Sequence, residues 1–266
     1  MAVAQTISPQ WSTPPANIVN SYLGREPGVP SAAGNLTTAN QQACMAVFSE
    51  ASQSWLIYNL PQCEMPLSPC STFKIPNALL GLQFGVLNGP QHSMTWDGKV
   101  HDREVLNQDH DLASAMKNSV VWYFQEVARQ IGAERMQSSL DAFEYGNRDI
   151  SAGIDIFWLG SSLEISALQQ IDFLRALVNS ELPIDADNQK AVLQLLLQDY
   201  ALPENFTGTL YGKTGSCPMP EDDHGWFVGM HDRGDDRLIF AVNLIGEKAW
   251  GPDARRLAIR MLQGIE

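Results

Sequence analysis

Apolar residues fall in short strand-like blocks towards both ends of the chain and recur at helical spacing between them. Ala43 to Glu50 and Ser54 to Leu60 are two apolar blocks around the polar turn Glu50-Ala51-Ser52-Gln53, which predicts a β-hairpin. Such a hairpin brings Cys44 and Cys63 together at its open end, where a disulfide becomes an expectation. A helix is predicted from about Ser71 to Phe84, with Pro76 near its first turn, where a missing N–H costs little. Gln91 to Asp109 is polar and loop-like, with a turn at Trp96-Asp97-Gly98. Leu112–Lys117 and Val121–Ile131 are helical in period, broken at Asn118-Ser119, and Glu134–Phe143 is a further short helix. Ser166–Asn179 and Asn188–Gln198 are amphipathic helices. Gly208–Gly215 reads as a strand, and Gly225–His231 with Leu238–Ile245 form a second hairpin around Arg233-Gly234-Asp235-Asp236. Pro252 opens a last helix to about Leu262. Residues 1–40 are rich in Pro, Ser, Asn and Gly, with a short helix near Ile18–Leu23.

Strands at both ends with helices between them imply an α+β fold. The early and late strands share one antiparallel sheet, the middle helices form a second lobe, and a site belongs in the cleft between. With 266 residues the chain holds one large domain or two small ones. It is expected to be a single catalytic domain over 1–266, with a sheet lobe near 1–70 and 200–266 and a helical lobe near 85–185.

Composition narrows the partners more than the fold. A formal charge of −13 argues against nucleic acid, whose phosphates it would repel. No apolar run approaches the length of a membrane span. Met1-Ala2-Val3-Ala4-Gln5 lacks the basic head and apolar length of a signal peptide, so it reads as a mature N-terminus with an added methionine or as a cytosolic start. The four cysteines, Cys44, Cys63, Cys70 and Cys217, lack zinc-knuckle or C-x-x-C spacing. They allow three pairings, among which spacing does not choose. An even count fits an oxidising compartment, and four buried thiols would equally suit a cytosolic one. The five histidines show no H-x-H or H-E-x-x-H spacing, so no metal is expected.

The candidate chemistry begins at Ser71-Thr72-Phe73-Lys74. Three residues apart at a helix start, hydroxyl and amine share one face, so the lysine can take the proton of an attacking serine. The spacing is cheap: roughly one occurrence is expected by chance in a chain of this size. A second does occur, at Ser114-Ala115-Met116-Lys117. What singles out Ser71 is the order of three motifs, Ser71-Thr72-Phe73-Lys74 at a helix start, Ser119-Val120-Val121 in a helix break, and Lys213-Thr214-Gly215 at a strand end.

That set resembles the penicillin-recognising serine acyl enzymes, and in detail the class D serine β-lactamases (oxacillinases). The likeness runs from about Ala43 to the final helix. It includes Ser71 to Asn77, Trp96-Asp97-Gly98, Ala115 to Val121, Tyr145-Gly146-Asn147, Gly153 to Leu159, Lys213-Thr214-Gly215 and Gly225 to Gly229. The resemblance implies hydrolysis of β-lactam antibiotics, penicillins and in extension carbapenems, by a periplasmic monomer or homodimer that confers resistance. No metal or organic cofactor is implied, and no nucleic-acid or membrane partner. By position, Ser71 would be acylated, and Lys74 would react with CO2 to give a carbamate acting as general base. A lysine among Phe73, Val121 and Trp158 suits this, since apolar surroundings disfavour its ammonium form, and the Trp158 indole can donate to the carbamate. Ser119 would relay a proton to the leaving nitrogen, and Lys213 would supply positive potential. The backbone N–H groups of Ser71 and Ser216 would form the oxyanion hole. Thr214 and Gly215 would bind substrate, and either Arg255 or Arg256 would hold its carboxylate. A β-lactam sensor domain and a penicillin-binding transpeptidase are the alternatives on the same fold. Leu106 and Ser216-Cys217 stand where many relatives carry aromatic residues, so the substrate wall is altered. Certain class A carbapenem-hydrolysing enzymes bridge cysteines at the relative places of Cys70 and Cys217. That parallel implies a Cys70–Cys217 disulfide, with Cys44–Cys63 as the other pair.

Overall fold

The computed structural model describes residues 11–12, 42–199 and 202–265. The short helix expected near Ile18–Leu23 lies outside them. A six-stranded sheet runs in the order β1-β3-β2-β8-β7-β6. Its strands are β1 (Trp11–Ser12), β2 (Gln42–Ser49), β3 (Ser54–Tyr58), β6 (Thr209–Cys217), β7 (His224–Asp232) and β8 (Arg237–Ile245). Early and late strands do share the sheet: β2 pairs with β8 from Gln42↔Ile245 to Ser49↔Leu238. All these pairings are antiparallel except one. The two residues of β1 lie parallel to β3, Trp11 opposite Trp55. A separate two-stranded ribbon pairs β4 (Ser93–Met94) with β5 (His110–Asp111) in the segment expected to be loop.

The strands are apolar on both faces because both faces are covered. On one, Cys44, Ala46 and Phe48 of β2 join Trp226, Val228, Ile239 and Ala241 in the large core that continues into the helices. On the other, Met45, Val47, Phe227, Phe240 and Val242 pack with Ala254, Leu257, Ala258 and Met261 of the last helix. The helices are α1 (Leu60–Cys63), α2 (Lys74–Gln83), α3 (Leu112–Asn118), α4 (Val121–Ile131), α5 (Ala133–Phe143), α6 (Ala167–Val178), α7 (Ala186–Leu195) and α8 (Gly251–Gln263). α6, though it lies mid-chain, packs on β2 and β8 and so forms the sheet's inner layer rather than standing apart with α4 and α5. Cys44 and Cys63 are joined across the hairpin's open end, with Cα atoms 5.1 Å apart. Cys70 and Cys217 are joined too, Cα to Cα 5.8 Å, and this bridge ties the start of α2 to the end of β6.

Candidate active site

Ser71 sits in a 3₁₀ turn, Cys70–Phe73, that runs directly into α2. Cys70 holds a left-handed φ of 45°, a conformation costing a β-carbon residue roughly 1–2 kcal/mol. The bridge to Cys217 and the packing of β6 hold it there. Gly215 makes that packing possible, because a Cβ on it would come within 3.0 Å of Pro69 O and 3.2 Å of Thr72 Cγ2. Ser68 braces the turn from behind. Its hydroxyl donates to Trp158 O (3.0 Å) and accepts from Gly160 N–H (2.9 Å), while its carbonyl accepts from Trp226 Nε1 (2.9 Å).

Lys74 is fully buried, and its Nζ lies 2.8 Å from Ser71 Oγ. Phe73 stacks on Trp158 at 5.2 Å beside it, and Nζ lies 5.6 Å from the Phe124 ring. Among the described residues no carboxylate pairs with Lys74. Burial, with added repulsion from Lys213 and Arg103, pushes the Lys74 amine well below its ordinary range, which favours the form with a free lone pair. The neighbouring Trp158 Nε1 is buried with no hydrogen-bond partner among the described residues. An orphaned indole N–H normally costs stability, and this one belongs to the ring stacked on Phe73, the residue before Lys74, which fits a group on Lys74 that accepts hydrogen bonds.

Ser119 ends α3 in the left-handed region, φ 57° and ψ 47°, and this turn aims its hydroxyl at β6. Lys213 Nζ donates to Ser119 Oγ (3.0 Å) and to Thr214 O (2.9 Å). Burial, then the Arg103 charge, lowers the Lys213 amine to about 7. Val121 is half-buried at the start of α4, one turn before Phe124.

β6 is an edge strand, and its side away from β7 is bridged at Tyr211 by Leu197 before it reaches the site. Gly212 N–H donates to Leu196 O and Leu210 O accepts from Gln198 N–H, so the backbone groups of these two residues point away from β7. Alternation along a strand then turns the groups of Thr214 and Ser216 the same way, towards the Ser71 turn. Ser216 Oγ accepts from Gly251 N–H (2.9 Å) at the start of α8. Gly251 must be glycine there, since a Cβ would lie 2.7 Å from Gly215 O. Arg255 follows one turn later on the same face and is half-buried. Arg256 points to solvent, where it pairs with Asp253. Geometry thus separates two arginines that the sequence left equal.

Ser71, Lys74, Ser119, Lys213 and Trp158 therefore converge, with the β6 edge and Arg255 beside them. Three contributors carry no motif. Phe124 was legible as the residue one turn after Val121, Ser68 only through its hydrogen bonds, and Arg103 by no sequence signal. The one cluster of potential metal ligands among the described residues is Cys70, Cys217 and His224, and its two sulfurs are bonded to each other.

A helix-borne serine and lysine facing a serine turn and a Lys-Thr-Gly edge strand define a serine acyl-transfer enzyme of the penicillin-recognising fold. The family model described as "Penicillin binding protein transpeptidase domain" matches residues 32–261. Beta-lactamase OXA-48 of Klebsiella pneumoniae is 39% identical over 210 residues, 79% of this chain and 78% of the relative. The structure of BPu1 beta-lactamase superposes with a TM-score of 0.79 at 34% identity, covering 96% of this chain and 97% of that one. The C-terminal domain of the Bacillus licheniformis BlaR penicillin receptor gives 0.78 at 33% identity, covering 85% and 92%. The chain belongs to the class D serine β-lactamases within this family.

Proposed function

We propose that this enzyme opens β-lactam rings through an acyl-enzyme on Ser71, with Lys74 carboxylated by CO2 as its general base. The observation that carries the reading is a fully buried lysine 2.8 Å from Ser71 Oγ, its amine pushed well below its ordinary range by burial, with a partnerless Trp158 N–H on the ring stacked against Phe73. Once bound to Lys74, CO2 supplies an anionic oxygen base; Trp158 Nε1 would hold it by donating a hydrogen bond. Ser71 Oγ gives its proton to the Lys74 side and attacks the lactam carbonyl carbon. The N–H groups of Ser71 and Ser216 hold the resulting oxyanion. As the C–N bond breaks, Ser119 Oγ protonates the leaving nitrogen and is itself resupplied from Lys213. Arg255 and Thr214 hold the substrate carboxylate, a task for which the guanidinium fork is suited. The proton on the Lys74 side then passes back to Lys213, water attacks the ester and gives a proton to the Lys74 side, and that proton returns to Ser71 Oγ as it leaves. Two disulfides support an oxidising, periplasmic location, and the core shared by sheet and helices supports a single catalytic domain.

The likeness to the BlaR receptor favours one rival, a sensor that is acylated but scarcely deacylated. Turnover of a chromogenic β-lactam, with and without bicarbonate, separates the two. The proposal predicts many turnovers per enzyme, sustained by bicarbonate. A single stoichiometric burst indifferent to bicarbonate would make the protein a sensor.

A further inference from the structure

The cleft carries one positive charge that the proposed chemistry leaves unused. Arg103 lies just before a 3₁₀ turn, Glu104–Leu106, in the loop facing Ser119. Two hydrogen bonds strap this segment across the Ser119 turn, one on each side of it. Arg103 Nη1 donates to Asn118 O (3.2 Å), and Trp122 Nε1 donates to Leu106 O (3.0 Å). The guanidinium is therefore held at the rim of the site, one residue from the serine that Lys213 touches. It is exposed, and a single bond to a carbonyl leaves most of its N–H donors unused.

No carboxylate among the described residues forms an ion pair with Arg103, in a chain with a net charge of −13. Most other exposed cations near acids take a partner, as Arg129 does with Glu126 and Asp155. The charge of Arg103 also reaches both buried amines, Lys74 and Lys213. Burial lowers both amines, Lys213 to about 7, whereas a guanidinium keeps its charge at every working pH. The permanent positive charges at the cleft are thus two arginines, Arg255 on the β6 side and Arg103 on the Ser119 side.

We propose that Arg103 forms a second anion subsite at the rim of the cleft, which takes the additional carboxylate of a dianionic β-lactam. The inference rests on the β-lactamase reading and deepens it. Arg255 holds the carboxylate common to these substrates, and Arg103 selects those with an acidic substituent, by charge-assisted hydrogen bonds that a water-facing rim keeps modest.

The test compares a penicillin carrying an uncharged arylacetamido side chain with the same penicillin carboxylated on that side chain. The readout is the ratio of kcat/KM, dianion over monoanion. Arg103→Gln should lower this ratio about tenfold, through KM of the dianion, and Arg103→Lys should lower it less. Added salt should lower the wild-type ratio and barely move that of Arg103→Gln. The neighbouring surface cation is the control, and Lys117→Gln should leave the ratio as it is. An Arg103→Gln ratio equal to that of wild type, whether both rates hold or both fall together, would overturn the subsite and reduce Arg103 to a strap on Asn118. If wild-type enzyme turned over neither penicillin, the β-lactamase reading itself would fail.

Discussion

Two segments of this chain share the spacing Ser-x-x-Lys, and the fold makes opposite use of them. At Ser71 and Lys74 the amine is fully buried, lies 2.8 Å from the hydroxyl, and is pushed well below its ordinary range by burial. At Ser114 and Lys117 the hydroxyl is consumed by the helix start, accepting from Asp111 N–H at 3.1 Å, with His110 Nδ1 3.0 Å away. Lys117 points to water and pairs with Asp199, its side chain 59% exposed. Spacing puts two groups on one face of a helix. On the proposed mechanism, burial without a counter-charge is what turns one of the pairs into a nucleophile and a base.

The comparison breaks most readily at the two lysines. Lys74→Ala should lower kcat for a chromogenic β-lactam by about 10³-fold or more, the scale of a lost general base. Lys117→Ala should stay within about twofold, and a similar loss in both variants would remove the distinction. Next comes the covalent difference, since the first segment is pinned to β6 by a disulfide and the second by none. Closing 147 residues against 19, the Cys70–Cys217 bridge should contribute about 5 kcal/mol to stability and the Cys44–Cys63 bridge about 3. Denaturation of the Cys70→Ala/Cys217→Ala and Cys44→Ala/Cys63→Ala variants measures both, and the reverse order would contradict the assignment.

A smaller effect concerns burial itself. Lys213 ionises near 7 in the fold and near 10.5 when unfolded, so unfolding takes up a proton between those values. Its contribution to stability is therefore fullest above about 10.5 and is lost as pH falls towards 7. Lys213→Met should raise the melting temperature at pH 7 by a few degrees, about 2–5 °C, and the gain should vanish towards pH 10.5. A gain that grew with pH would show that the amine is not the source of strain. The smallest effect belongs to the second segment. Ser114→Ala removes half of the capping box on α3 and should cost about 1 kcal/mol in unfolding free energy, with kcat unchanged.

Hydrophobic period carried most of the fold, because strands buried on both faces and amphipathic helices each leave a distinct pattern. The break at Asn118-Ser119 was visible for the same reason, and it is a left-handed turn in the structure. Single-residue phase was not visible. Arg255 and Arg256 differ only in which side of one helical turn they occupy, and Gly251 against Gly215 sets that phase. The outward direction of Ser216 N–H depends on Leu196 and Gln198 taking the alternate groups of β6. Arg103 was silent because its place comes from a hydrogen bond to a carbonyl, which any residue offers.

The most direct measurement is the ¹³C spectrum of the protein equilibrated with ¹³C-labelled bicarbonate. The account predicts one carbamate resonance in wild type that survives Lys117→Ala, disappears in Lys74→Ala and weakens in Trp158→Phe. A spectrum without that resonance, or one lost in Lys117→Ala and kept in Lys74→Ala, would contradict it.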